Sequence, residues 1–400
     1  MNSIVQETLR KLIVIVNQLI RSLKVQIGLV ATRRIMAEAN DLIPETRVLA
    51  IASHVVYGYV GNKVATFVMQ ALGCDVSSIN TVNYSNHTGY RQIKGTKTTA
   101  DQISDLYEGL KQSSLVNFDM MLSGYIPSAE AVEAVARIGR ELRLQASIKP
   151  GSFFWVLDPV LGDNGKLYVP EAETPVYRSI LRDCDLVLPN QFELETLTST
   201  TITDTSSLVS AIQLMHTKYR LPHIFVTSTK LSDATDTIAI VGSTARSDMS
   251  ARVFRIDVPY FPVYFTGTGD MFAALLVARL RQAAVTAKLD GVQGWVSGDE
   301  VEAAELPLAL AAEKVVASMQ AVLKKTDQAY QAEKRAIESE DGRTGQTRDE
   351  EDATDAETRR HLKLTKAVEL RVVRNVRDLL DPPDVDKFKA KEVYVAATAP

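Results

Sequence analysis

The sequence predicts an α/β fold: a mostly parallel central sheet with helices on both faces. Three observations carry this. Short apolar runs rich in β-branched and aromatic residues recur from residue 47 onward. Helical patterns separate them, which is the signature of βαβ units. The polar, glycine-containing segments fall just after strands, where ligands bind in sheets of this kind.

The elements follow in order. Residues 47–53, RVLAIAS, form an apolar run ending in small and polar residues, as buried parallel strands do. Gly58 and Gly61 mark a turn, and a helix is expected over about 62–72. A strand at 75–82 leads to the polar loop SNHTGY and a helix over about 99–111. A strand at 119–123 and a helix at 128–143 come next. The apolar strand 153–158 ends on an acid, and a short strand at 186–189 runs into NQFE. A helix at 208–219 precedes the strand 223–227. A strand or loop then reaches Phe265, followed by GTGD and a helix through about Arg281.

Composition narrows the function classes. The chain has 400 residues, 46% of them hydrophobic, so a substantial core can form. A net charge of −4 argues against nucleic acid, which needs a basic surface. Cys74 and Cys184 lack metal-ligand spacing and read as buried thiols rather than a zinc site or disulfide. No apolar run approaches the ~18 residues of a membrane span. The nearest, LIVIVNQLI, is short and holds Asn17.

The expected organisation has three parts. Residues 1–46 form an N-terminal extension. Its first part carries Arg10, Lys11, Arg21, Lys24, Arg33 and Arg34 against Glu7 alone, which resembles a mitochondrial transit peptide. An extra surface helix or a misplaced start codon are the other readings, and a cytoplasmic location is expected. Residues 47–332 and 366–400 form one domain. Residues 333–365 are charged and poor in large apolar residues, so a disordered insertion is expected. VELRVV (368–373) and EVYVA (392–396) read as structured chain.

Five motifs carry chemistry. In TGTGDMF (266–272), Gly267 and Gly269 let backbone approach a ligand, and the helix start offers amides to an anion. Asp270 stands at the cap position; it either caps the helix or takes a proton from a hydroxyl nucleophile. In DPVLGD, Asp158 and Asp163 either share a cation on phosphate or make turn hydrogen bonds. In NQFE, Asn190 and Glu193 have capping-box spacing, with magnesium organisation by Glu193 as the functional reading. Thr227, Ser228 and Thr229 end a strand and offer hydroxyls to phosphate or to a turn. The loops SHVVYGYVGN (53–62) and SNHTGY (85–90) both follow strands and are placed to line one pocket. His54 and His87 there read as structural, with no proton-transfer role.

Taken together and in this order, the motifs resemble the ribokinase-like superfamily and its three-layer fold. Within it, RVLAIASHVVYGYVGNKVATF, INTVNYSNHTGY, LSGY, DPVLGDNGKLYVP, LPNQFELE and FTGTGDMFAALL are similar to the pyridoxal kinase family. The resemblance covers about 47–330 and resumes in VELRVVRNVRDLLDP. It implies ATP-dependent phosphorylation of the 5′-hydroxymethyl group of pyridoxal, pyridoxine and pyridoxamine. Asp270 would be the catalytic base, and the amides of Gly267, Thr268 and Gly269 would hold the transferring phosphoryl group. Ser53 and Thr88 would bind the ring substituents, and Val60 and Tyr125 would sandwich the ring. Asp158, Asn190, Glu193, Thr227 and Ser228 would serve ATP, with Asp158 and Glu193 at the metal. The loop from Asp163 to Tyr168 would close over the nucleotide. Magnesium, a monovalent cation such as potassium, and a homodimer are implied as well.

The chain departs from the family in its extension, its charged insertion and the stretch 232–258. Two rivals remain in view. One is a kinase of this fold acting on hydroxymethylpyrimidine or a sugar, against which SNHTGY speaks. The other is a non-catalytic regulator, against which the intact Gly267, Gly269 and Asp270 speak.

Overall fold

The computed structural model describes residues 43–229, 237–343 and 350–393. Strand β1 (Arg47–Val55) is third from one edge of the ten-stranded sheet. Its register is parallel both to β2 (Asp75–Tyr84) and to β4 (Met120–Ser123). Beyond β4 follow β5 (Phe154–Leu157), β8 (Leu186–Val187) and β9 (His223–Thr229), all parallel. Antiparallel strands flank this block. β3 (Gly95–Lys97) pairs with β2 at one edge. At the other, β10 (Thr237–Ala245), β11 (Ala251–Pro259) and β12 (Lys391–Glu392) continue from β9. A separate hairpin, β6 (Gly162–Asp163) with β7 (Lys166–Leu167), lies outside the ten-stranded sheet.

Alternation along the strands builds two cores. Val48 and Ala50 of β1 face one layer, Leu49 and Ile51 the other, and all are fully buried. On the first face pack α1 (Gly61–Ala71), α7 (Thr268–Thr286) and the core-facing part of α8 (Pro307–Arg343). On the second pack α2 (Ala100–Gln112), α3 (Ala129–Gln145), α4 (Glu173–Ile180), α5 (Gln191–Thr198) and α6 (Thr205–Tyr219). The fold is thus the expected three-layer α/β sandwich, with helices on both faces. The chain leaves β1 for β2 on one side and reaches β4 on the other. The crevice between β1 and β4 is therefore a topological switch point, where ligands bind in open α/β sheets.

Several expectations differ from the structure. Residues 333–343 continue α8, and α9 (Glu350–Ala367) follows, so the described part of 333–365 is helical rather than disordered. The reason lies in propensity. The segment is rich in Ala, Glu, Lys and Arg, which are strong helix formers. It also extends a helix already anchored by buried Val315, Val316 and Val322, and Ile337 is itself buried. Of 368–373, a short 3-10 turn begins at Val373, and of the described residues 392–393 Glu392 lies in a strand. The extension's residues 1–42 and its targeting reading lie outside the described residues, as do 394–396. Among the described residues, no helix is long and apolar enough to cross a membrane. Cys74 and Cys184 are both free and buried, as expected.

Candidate active site

The parallel block has one functional edge, because all six of its strands end there. Backbone hydrogen bonds hold those ends in line. The N–H of Asp158 donates to the Ser123 carbonyl at 2.8 Å, and that of Leu188 to the Leu157 carbonyl at 2.9 Å. The N–H of Thr227 donates to the Pro189 carbonyl at 3.0 Å. The β1/β2 ladder shifts register at Ser53, the position that turns toward the ligand. A cavity of about 550 Å³ opens over this edge. Every sequence-predicted site residue lines it: Ser53, Val60, Thr88, Tyr125, Asp158, Asp163, Tyr168, Asn190, Glu193, Thr227, Ser228, Gly267, Thr268, Gly269 and Asp270.

The glycine-rich turn is built for close approach. Gly267 has φ +86° and forms the N-cap of α7 without a side-chain cap. A Cβ there would meet the Tyr59 carbonyl oxygen at 2.1 Å, so only glycine fits. Gly61 opens α1 at φ +54°, and a Cβ on it would meet the Ser53 carbonyl oxygen at 2.1 Å. The two helix N-termini thus converge beside Ser53 and Tyr59. Free amides at the start of α7 and its dipole favour an anion at this point.

Asp270 does not occupy the cap. It is the third residue of α7, and its carboxylate accepts the N–H of Gly61. Burial lifts its carboxyl to about 6, with that N–H pulling the other way. A carboxylate poised there has the basicity of a general base near neutral pH. The capping alternative is set aside by this position.

Two further carboxylates complete an acidic floor. Burial, then Glu193 and Asp270, push the Asp158 carboxyl well above its ordinary value of 3.8, against one N–H from Val160. Glu193 is lifted by burial to about 7, despite three backbone N–H donors. Its Oε1 accepts from Leu161 at 2.8 Å and Gly162 at 3.3 Å, and its Oε2 from Asn190 at 2.9 Å. Asn190 returns the capping box by accepting the Glu193 N–H at 2.9 Å, and its amide donates to the Gly162 carbonyl at 2.7 Å. The capping-box reading therefore holds, and the same box fastens the hairpin β6–β7 to α5. At the same end of the hairpin, Tyr168 donates its N–H to the Leu161 carbonyl at 2.8 Å, and its side chain hydrogen-bonds that of Tyr264.

Sequence reasoning missed several contributors. Tyr84, Val160, Tyr264 and Phe265 also line the cavity. His87 keeps its structural role: its Nδ1 accepts the Gly89 N–H at 3.1 Å and its Nε2 meets Glu369 at 3.1 Å. Asn62 is buried and donates to the carbonyls of Ala52 and Ile79, tying β1 to β2.

The fold and this site define a small-molecule kinase of the ribokinase-like class. Comparison with known proteins narrows the class. The family model described as phosphomethylpyrimidine kinase matches residues 63–288. The chain is 39% identical over 233 residues to pyridoxal kinase of Arabidopsis thaliana, covering 58% of this chain and 73% of that one. It is 36% identical over 245 residues to human pyridoxal kinase, covering 58% and 77% respectively. Among solved structures, pyridoxal kinase from Leishmania donovani in complex with ADP and pyridoxamine superposes with a TM-score of 0.68 at 30% identity. That match covers 87% of this chain and 100% of the other. The chain belongs to the pyridoxal kinase family.

Proposed function

We propose that this chain is a pyridoxal kinase that transfers the γ-phosphoryl group of ATP to the 5′-hydroxymethyl oxygen of pyridoxal, pyridoxine and pyridoxamine. The observation that carries this reading is the cavity at the switch point, which Asp270 and Gly267, Thr268 and Gly269 of the glycine turn line together. Asp270 takes the hydroxyl proton as the oxygen bonds to the γ-phosphorus. The bond from that phosphorus to the β,γ-bridging oxygen breaks, and ADP leaves with the electron pair. The amides of the glycine turn meet the charge on the transferring oxygens. Ser53 and Thr88 hold the ring substituents, and Val60 and Tyr125 face the ring. Asp158, Asn190, Glu193, Thr227 and Ser228 serve the nucleotide, and Asp163 to Tyr168 cover it.

The residues also fit a magnesium ion and a monovalent cation such as potassium. Among the described residues lining the cavity there is no lysine or arginine, while four carboxylates, Asp158, Asp163, Glu193 and Asp270, are gathered there. Polyphosphate charge therefore needs a cation that those carboxylates and the phosphates share. Asp158 would hold it directly and Glu193 through water, supplying charge neutralisation. No cluster of three metal-ligating side chains forms by itself among the described residues, which agrees with ions that arrive with the nucleotide. A homodimer in the cytoplasm completes the proposal.

The family model's description, phosphomethylpyrimidine kinase, favours a pyrimidine as a second acceptor, for which hydroxymethylpyrimidine is the probe. ADP release measured with pyridoxal, pyridoxine, pyridoxamine, hydroxymethylpyrimidine and ribose tests both. Turnover with a B6 vitamer at the highest kcat/KM supports the proposal. Preference for the pyrimidine, or no turnover with any of them, overturns it.

A further inference from the structure

Glu369 lies just beyond α9, far in sequence from every motif of the site. Its side chain is only 11% exposed. Oε1 accepts the Tyr90 hydroxyl at 2.9 Å and meets His87 Nε2 at 3.1 Å. Oε2 accepts the backbone N–H of Tyr59 at 3.2 Å. One carboxylate thus joins the loop after β1 to the loop after β2. Each loop carries a wall of the acceptor pocket: Val60 follows Tyr59, and Thr88 lies between His87 and Tyr90. Gly58 makes room for the junction, since a Cβ on it would meet Glu369 Oε1 at 2.7 Å. A second strut stands beside it, His361 Nε2 to the Gly89 carbonyl at 2.9 Å.

We propose that Glu369 is a positioning residue for the B6 vitamer. It fixes the separation of Val60 and Thr88, so that ring stacking and ring hydrogen bonding are satisfied by one substrate pose. Backbone hydrogen bonds join the two loops at their bases, from the Val56 N–H to the Tyr84 carbonyl at 2.8 Å and from the Tyr57 N–H to the Ser85 carbonyl at 2.9 Å. A charged acceptor bonded to both adds a tie further out, next to Val60 and Thr88. The nucleotide half of the cavity rests on Asn190, Glu193 and the β6–β7 hairpin, which Glu369 does not touch. The inference rests on the pyridoxal kinase reading, and its test separates the two.

The full chain and its Glu369→Ala, Glu369→Gln and Tyr90→Phe variants are compared. Dissociation constants for pyridoxal and for ATP are measured separately, with kcat and thermal unfolding. The wild-type chain is the control: failure to phosphorylate pyridoxal strikes the functional reading, whatever Glu369 does. With that control active, Glu369→Ala should weaken pyridoxal binding about tenfold or more, the effect of losing hydrogen bonds to a charged group. ATP binding should change less than about twofold, and Glu369→Gln should recover part of the loss. Tyr90→Phe, which removes one hydroxyl, should weaken pyridoxal alone by roughly threefold, and should add nothing in the Glu369→Ala background. Unchanged pyridoxal binding in a folded Glu369→Ala chain overturns the inference, as does equal weakening of both ligands. Should Glu369→Ala fail to fold, Tyr90→Phe decides: selective weakening of pyridoxal supports it, and no effect overturns it.

Discussion

The Asp270 carboxylate accepts the backbone N–H of Gly61, so the first turns of two helices more than 200 residues apart in sequence share one hydrogen bond. That bond fixes the carboxylate beside Ser53 and the glycine turn rather than over its own helix terminus.

Asp270→Asn should therefore lower kcat by about 10²–10⁴, the range for loss of a general base. Stability should not fall, because no cap is lost and Asn still accepts the Gly61 N–H, and above about pH 6 it should rise modestly as a buried charge is removed. In the wild-type chain the base is active when deprotonated. With its carboxyl lifted to about 6, kcat/KM should rise as pH increases through about 6 and level off above. Steady-state kinetics from pH 5 to pH 9 check both outcomes; a stable Asn variant with normal kcat refutes the assignment.

Asp158→Asn should stabilise the protein while harming activity. The folded-state value of Asp158 is raised above its ordinary 3.8, so the folded state binds the proton more tightly than the unfolded state. Stability from this group is then fullest at pH below about 4 and declines as pH rises toward the folded value. Glu193, at about 7, acts with the same sign. Removing the charge should raise Tm at pH 8 by about 2–4 °C, on the order of 1 kcal/mol in a domain of this size. At pH 4, where the wild-type carboxyl is already protonated, the gain should vanish. A loss of stability at pH 8 would contradict the account.

Gly267→Ala should destabilise the chain by roughly 1–3 kcal/mol, the cost of a side chain in a disfavoured backbone region. The Cβ also collides with the Tyr59 carbonyl, so the turn must move and turnover should collapse with it. Denaturant unfolding and ADP release measure the two effects. Wild-type stability together with wild-type kcat would show that the turn tolerates a side chain.

Replacing residues 340–355 by a short Gly/Ser connection should keep activity and shift Tm by less than about 3 °C. The boundaries matter: Ile337 is buried and His361 contacts Gly89, so a cut reaching either should cost stability or pyridoxal affinity. Thermal unfolding and pyridoxal titration of nested deletions locate the limits.

The parallel block was legible in the sequence because strands buried on both faces are near-continuous apolar runs, each ending in a polar residue at the ligand edge. The site was legible in part for the same reason, since NQFE and DPVLGD sit where those runs stop, while GTGD stood out by its glycines ahead of an apolar helix. β10 and β11 were harder to see. Ser243 and Thr244 break the apolar run, yet both are buried, bonded to His216 and His223 at 2.9 Å. Their partners lie on other elements, so a local pattern cannot show that they are satisfied. The helical character of the described parts of 333–365 was hidden by its charge. Glu369 was invisible because its partners are supplied only by the folded chain.

The 310 residues that separate Tyr59 from Glu369 impose an order on synthesis. A ribosome delivers β1, β2 and the whole parallel block well before it delivers the carboxylate that joins their loops. The nascent chain can thus assemble its sheet and its glycine turn while its vitamin pocket is still unfastened. Translation that stops short of residue 369 leaves a product with a nucleotide half and no tied acceptor half. Competence to bind the vitamin then becomes a mark of a finished chain.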